Sequence, residues 1–260
     1  MNNGNRIAGA FAGGKAFIAF ITCGDPDLET TAACVRAAVA GGADLIELGI
    51  PFSDPTAEGP VIQEANERAL AGGVTTDKIF RLARDLRRDV TVPMVFMTYA
   101  NVVYSYGIEH FCDRCAEAGI DGMILPDVPF EEKEEFSDPA KARDLSYISL
   151  IAPTSHERVR RIAEDADGFV YCVSSMGVTG VRTKITTDIG GMVKLVKEAL
   201  DIPAAVGFGI STPQQAKEMA SLSDGVIVGS AIVKLCAEHG KDCVPYVAVY
   251  VKSMKDAIAD

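Results

Sequence analysis

Glu47 stands inside Asp44-Leu-Ile-Glu-Leu-Gly-Ile50, a segment that is otherwise almost wholly apolar. An ionised carboxylate is rarely buried without a partner, so a glutamate here calls for a reason. One reason is an ion pair with a neighbouring Lys or Arg. The other is general acid–base chemistry, with desolvation lifting the carboxyl pKa above its ordinary value of ~4.3. A position at the carboxyl end of an apolar run favours the second reading. The loop that follows, Pro51-Phe-Ser-Asp-Pro-Thr-Ala-Glu-Gly-Pro60, holds three prolines that restrict its backbone into a shaped surface. Glu58 offers a second carboxylate to a pocket, and Asp54 a side chain for an Asx turn; spacing leaves both roles open.

Two glycine-bearing segments suit an anion. Gly207-Phe-Gly-Ile-Ser211 and Val228-Gly-Ser-Ala231 each run from an apolar strand into a helical pattern. Small residues let backbone N–H groups approach a phosphate, and a helix N-terminus favours negative charge. The alternative for each is an ordinary turn glycine. Ser174–Lys184 is polar and Gly-rich, the composition of a lid or of a plain flexible loop. Tyr171 precedes it in an apolar strand, where a phenol needs a partner whether it packs in the core or touches substrate. Cys112 and Cys115 form a lone C-x-x-C, but they lie on the helical stripe Ile108, Phe111, Cys112, Cys115, Gly119. With no second pair and three scattered His, core packing is the expectation and no metal site is assigned. The charge run Glu131–Glu135 reads as a solvated helix start.

These residues need elements to hold them. Eight short apolar runs qualify as strands: Phe17–Thr22, Asp44–Gly49, Met94–Tyr99, Gly122–Asp127, Tyr147–Ala152, Phe169–Ser174, Ala204–Phe208 and Gly225–Gly229. Most are continuous rather than alternating, as in parallel strands covered on both faces. Helical patterns separate them. Ile79, Leu82, Ala83 and Leu86 share one face, as do Ile189, Val193, Val196 and Leu200. Thr154-x-x-Glu157 has the form of a capping box, and Pro60 and Pro213 suit first helical positions. Val247, Val251, Met254 and Ile258 fit a helix, although Tyr246–Val251 alone also reads as a strand. Eight βα units without a linker predict an α/β fold, a single-domain (βα)8 TIM barrel with extra helices over residues 1–260. The catalytic end is then where the long loops Ile50–Gly59 and Ser174–Thr187 emerge.

Composition narrows the partners. With 25 Lys+Arg against 36 Asp+Glu, the net charge of −11 disfavours nucleic acid or an anionic membrane as partner. No apolar run approaches the ~20 residues of a membrane span. The first residues lack the basic-then-apolar order of a signal peptide, and seven Cys need no pairing in a chain this size. A cytoplasmic setting with reduced thiols is the expectation.

Taken together, Glu47-Leu-Gly-Ile-Pro-Phe-Ser-Asp-Pro55, Ala57-x-Gly-Pro60, Tyr171…Gly177-Val-Thr-Gly180, Gly207-Phe-Gly-Ile210 and Gly229-Ser-Ala-Ile232 resemble the tryptophan synthase alpha chain family. Phe20-Ile-Thr-x-Gly-Asp-Pro26, Tyr99-Ala-Asn101 and Asp127-Val-Pro129 extend the pattern, from about Phe11 to the C-terminus. The resemblance implies a TIM barrel that cleaves indole-3-glycerol phosphate to indole and glyceraldehyde 3-phosphate without metal or organic cofactor. It implies a beta-chain partner in an alpha2beta2 tetramer. It also implies roles: Glu47, Glu58 and Tyr171 catalytic; Phe20 and Phe208 flanking the indole; Thr179 on the lid. Gly180, Gly209, Gly229 and Ser230 would bind phosphate, and Pro51, Asp54, Pro55, Asn101, Asp127 and Pro129 would face the partner. Two departures stand out: Glu58 where the family usually has aspartate, and Pro126 where alanine is common. Other phosphate-binding barrels lack the combined loop and lid motifs. A non-catalytic activating subunit is the reading from a different class, and only Glu58 hints at it.

Overall fold

The computed structural model describes residues 3–173, 188–207 and 209–259, the side chains from residue 6 onward. Among the described residues nine strands form one sheet: β1 (Ala16–Thr22), β2 (Leu45–Gly49), β3 (Met94–Met97), β4 (Gly122–Ile124), β5 (Ser146–Tyr147), β6 (Ser149–Ile151), β7 (Val170–Val173), β8 (Ala204–Gly207) and β9 (Gly225–Val228). Every recorded pairing is parallel, in the order β5-β4-β3-β2-β1-β9-β8-β7-β6. The two ends of that order, β5 and β6, are halves of one segment separated by Ile148, whose N–H donates to the Met123 carbonyl at 2.9 Å. The sheet therefore closes through the predicted fifth strand. Eight predicted segments become nine strands because that one segment pairs with β4 through its first half and β7 through its second. Their residues are buried almost throughout, the pattern of parallel strands with helices outside and side chains within.

The helices are α1 (Asn3–Ala12), α2 (Leu28–Ala40), α3 (Pro60–Ala71), α4 (Thr76–Leu86), α5 (Ala100–Tyr106), α6 (Ile108–Ala118), α7 (Glu134–Lys141), α8 (His156–Glu164), α9 (Ile189–Ala199), α10 (Pro213–Leu222), α11 (Ser230–His239) and α12 (Val244–Ile258). Pro60 and Pro213 both open helices, where a missing N–H costs nothing. The stripe on α4 is buried as its spacing requires, and so are Cys112 and Cys115 on α6. Tyr246–Val251 belongs to α12, whose 3.6-residue stripe packs on α2 and α10 and overrides the local β-propensity. Two details differ from expectation. Ser155, not Thr154, caps α8 by accepting from the Arg158 N–H at 3.3 Å, so no Thr154–Glu157 box forms. Leu200 lies past the end of α9 in extended backbone and is exposed.

No element was expected before β1, yet α1 closes the amino end of the barrel. Ile7 is fully buried in the interior cluster with Ile18, Leu45 and Ile227, and the Phe11 ring meets Phe169 at 5.6 Å. Arg6 reaches Asp121 at 2.5 Å. Ile7, Ala10 and Phe11 repeat at i, i+3, i+4, a stripe too short to read alone but sufficient once it has a barrel floor to cover.

Candidate active site

Alternation along β2 aims Glu47 into the barrel. Leu45 belongs to the interior cluster, whereas Ile46 and Leu48 belong to the outer one, so Glu47 shares the inward side. Its register partners are Phe20 on β1 and Val95 on β3. Glu47 is fully buried, and among the described residues neither carboxyl oxygen has a hydrogen-bond partner. Desolvation, with nothing to offset it, pushes its pKa up to about 8. Among the described residues no Lys or Arg pairs with it, so the ion-pair alternative finds no partner here.

Glu58 reaches the same region from the loop before α3. It is buried, and its carboxylate accepts from Asn66 Nδ2 at 3.1 Å. Burial raises its pKa to about 7, with the Asn66 hydrogen bond pulling the other way. Gln63 Nε2 holds the Glu58 carbonyl at 2.8 Å, and the Ala57 N–H donates to Tyr99 Oη at 3.1 Å. Tyr99 also packs on Phe52, ring centroids 5.2 Å apart. The loop is thus tied at Ala57 and Glu58 to the neighbouring elements, as its prolines suggest. Spacing did not reveal Gln63, Asn66 or Tyr99 as its supports; only their position one to two turns into α3, or at the end of β3, hinted at it.

Tyr171 is buried beside both carboxylates. Burial first, then the charges of Glu47 and Glu58, hold its phenol well above the ordinary tyrosine range, so it stays protonated as a donor. Its ring lies over β8 at Gly207, where an added Cβ would fall 2.5 Å from the phenol oxygen. Phe20 sits similarly over Gly49, where an added Cβ would stand 2.6 Å from the ring. Thr22, two residues beyond Phe20 on the same inward side, has a buried hydroxyl with no hydrogen-bond partner among the described residues. Sequence reading passed over it because threonine is common in strands.

Gly229 immediately precedes α11 and Ser230 is its first residue. The first turn has no side-chain cap; the Ile232 N–H donates to the Gly229 carbonyl at 2.9 Å, which leaves those of Ser230 and Ala231 to an anion. A Cβ on Gly229 would stand 3.2 Å from the Phe20 ring, which puts this helix start beside the Phe20 end of the lumen. Gly209, after β8, has φ +84°, a backbone that other residues rarely adopt. Thr179, Gly180, the lid Ser174–Lys184 and Phe208 lie outside the described residues.

A cavity of about 420 Å³ opens alongside, lined among others by Thr56, Ala57, Pro126, Ile148, Leu150 and Val173. It shares the loop after β2 with Glu58, but neither Glu47 nor Glu58 lines it. Of the residues assigned to a partner face, Asp54, Asn101, Asp127 and Pro129 are exposed and Pro55 is half-buried. Pro51 is buried and presents no surface. Asp127 accepts from the Ala100 N–H at 3.0 Å, fastening the start of α5, and Asp54 accepts from Ser53 Oγ at 2.5 Å. The run Glu131–Glu135 is solvated apart from Lys133, with Glu131 paired to Arg158 at 2.8 Å.

A family model described as tryptophan synthase alpha chain matches residues 10–259. The chain belongs to the tryptophan synthase alpha chain family. It is 44% identical to the tryptophan synthase alpha chain of Lacticaseibacillus casei, over 98% of this chain and 96% of that one. It is 45% identical to that of Shouchella clausii, over 96% of each. Among solved structures, it resembles the tryptophan synthase alpha chain of Legionella pneumophila (TM-score 0.88, 36% identity, 99% of this chain and 97% of that one). A tryptophan synthase structure from Mycobacterium tuberculosis matches with TM-score 0.89 and 33% identity, over 99% and 98% of the two chains. The family's barrel is the fold found here. No described helix is long and apolar enough to cross a membrane.

Proposed function

We propose that this chain carries out the alpha reaction of tryptophan synthase, the retro-aldol cleavage of indole-3-glycerol phosphate to indole and glyceraldehyde 3-phosphate. The observation that supports this most is Glu47: fully buried, inward-facing, midway along β2, with both oxygens unpartnered among the described residues. Such a carboxyl holds a proton at neutral pH and can release it to a reacting atom. Glu47 protonates indole C3. The C3–C3′ bond then breaks, its electron pair restoring the indole ring as the C3′ hydroxyl proton leaves and the aldehyde forms. One proton enters and one departs, so a single carboxyl that gives and then takes a proton balances the step.

Glu58, fixed by Asn66, accepts from the ring N–H and favours the positively charged indolenine. Tyr171 stays neutral and donates a hydrogen bond. Phe20 flanks the ring, and the start of α11 at Gly229 and Ser230, with Gly209, holds the phosphate. Thr179, Gly180 and Phe208 complete the site on family resemblance. Remote phosphate binding orients the reacting end. The chemistry calls on no metal or organic cofactor. The test is steady-state turnover of indole-3-glycerol phosphate by the purified chain, followed by a dehydrogenase that consumes glyceraldehyde 3-phosphate. Release of that product supports the reading, and its absence even with a beta chain added sinks it.

The partner in this reading is a beta chain, in an alpha2beta2 tetramer within a cytoplasmic pathway. Asp54, Pro55, Asn101, Asp127 and Pro129 form its docking face, with Pro51 stiffening the loop from beneath. The loop that bears Asp54 also bears Glu58, so docking and site order are linked. Asp54→Ala should weaken activation by the beta chain more than basal cleavage; equal loss in both assays would show that Asp54 shapes the pocket itself.

A further inference from the structure

Cys34 on α2, Cys236 on α11 and Cys243 at the start of α12 converge where the last helices of the barrel pack on the first unit. All three are buried, and their sulfurs lie within 4.8 Å of one another. Cys34 Sγ and Cys243 Sγ are 3.4 Å apart across 209 residues of sequence. Sulfurs sharing one cation at about 2.3 Å stand roughly 4 Å apart in a trigonal plane, so the cluster is already close to a three-thiolate arrangement. Among the described residues it is the one group of three or more Cys, His, Asp or Glu side chains so placed. The C-x-x-C of α6 is not part of it.

We propose that Cys34, Cys236 and Cys243 form a binding site for a soft divalent d10 cation, distinct from the catalytic carboxylates. Binding removes three thiol protons to solvent and forms three metal–sulfur bonds, taking the site from neutral to a net charge of −1. A monovalent ion would leave −2 in an apolar setting, which favours the divalent class. Burial holds the Cys243 thiol up at about 11, and the hydrogen bond to Cys34 together with burial raises Cys236 further. Only a strongly thiophilic ion repays that deprotonation. Asp25, paired with Arg68 at 2.8 Å, is within electrostatic reach of Cys236 and raises its thiol pKa, so it opposes the thiolate charge that the cation must offset. A bound ion ties α2 to α11 and α12, segments far apart in sequence.

Cadmium(II) is the probe. The reduced full chain is equilibrated with it in the native state and, separately, refolded in its presence, so that slow opening of a buried site hides nothing. The expected result is one cadmium per chain, a sulfur-to-metal charge-transfer band, three protons released per ion and a raised thermal midpoint. Each of C34S, C236S and C243S should lose the band and the stabilisation while keeping the helical circular dichroism of the wild type, and C112A/C115A should keep both. If a serine variant folds poorly, the corresponding alanine variant and the proton count of the wild type carry the test. No binding under either condition, or binding that persists in C243S, overturns the proposal.

Discussion

Two acidic residues, Glu47 and Asp121, stand at opposite ends of the same barrel, and both side chains are fully buried. At the amino end, Asp121 precedes β4. One oxygen accepts from Arg6 and the other from Arg87 at 2.7 Å and the Met94 N–H at 2.8 Å. Toward the carboxyl side, midway along β2, Glu47 has no partner among the described residues for either oxygen. Burial is equal and the hydrogen-bond accounting is opposite. The bottom of the barrel spends its carboxylate on tying α1, α4 and β3 together. The top leaves its carboxyl unpaired, at a cost in stability, ready for a proton on a substrate.

The largest expected effect breaks the comparison on the catalytic side. Glu47→Gln keeps the volume but cannot exchange a proton, and should lower kcat by about 10²–10⁴ with KM nearly unchanged. Retention of more than about a tenth of wild-type turnover, a barrier change below ~1.4 kcal/mol, would remove Glu47 from the acid–base role.

The matching change at the other end is Asp121→Ala. It takes their shared carboxylate from two mostly buried guanidinium groups, although Arg87 keeps the Gly119, Val90 and Val92 carbonyls, and should cost about 3–5 kcal/mol in urea unfolding while the folded fraction keeps its kcat. Loss of kcat without loss of stability would mean the two ends are not divided as described.

A pH series sharpens the contrast. The Glu47 pKa is about 8 in the folded chain and near its ordinary 4.5 when unfolded. Between those values the unfolded state has released a proton that the folded state still holds, so wild-type stability falls as pH rises from 4.5 to 8. The stability of Glu47→Gln relative to wild type should therefore increase by on the order of 5 kcal/mol across that window. A difference independent of pH would mean that Glu47 is not buried as an unpaired acid. In the same range, kcat/KM should fall above about 8, where Glu47 deprotonates, and below about 7, where Glu58 is protonated.

The smallest effect concerns Glu58→Asp, the family's usual residue. The carboxylate stays but its reach shortens by one methylene, with the Asn66 contact now 3.1 Å. A change in kcat/KM of less than about tenfold is expected. A much larger gain or loss would show that the longer side chain redefines the contact with the indole ring.

Much of the molecule could be read from residue order, for a local reason. Strand and helix periods, the prolines that open α3 and α10, and the buried stripe that absorbs Cys112 and Cys115 are all set within a few turns of chain. Glu47 could be singled out because a carboxylate in an apolar strand is anomalous wherever that strand goes. Other facts depend on pairings between distant segments, which no local period encodes. Periodicity did not say that the fifth segment splits at Ile148 to close the sheet, or that α1 plugs the floor through Arg6 and Ile7. Nor did it say that Glu58 and Tyr171 reach the same space as Glu47, or that Cys34 meets Cys236 and Cys243. Sequence determined which groups are costly to bury, because burial cost belongs to the residue. Tertiary structure decided which of them found partners, because partners come from elsewhere in the chain.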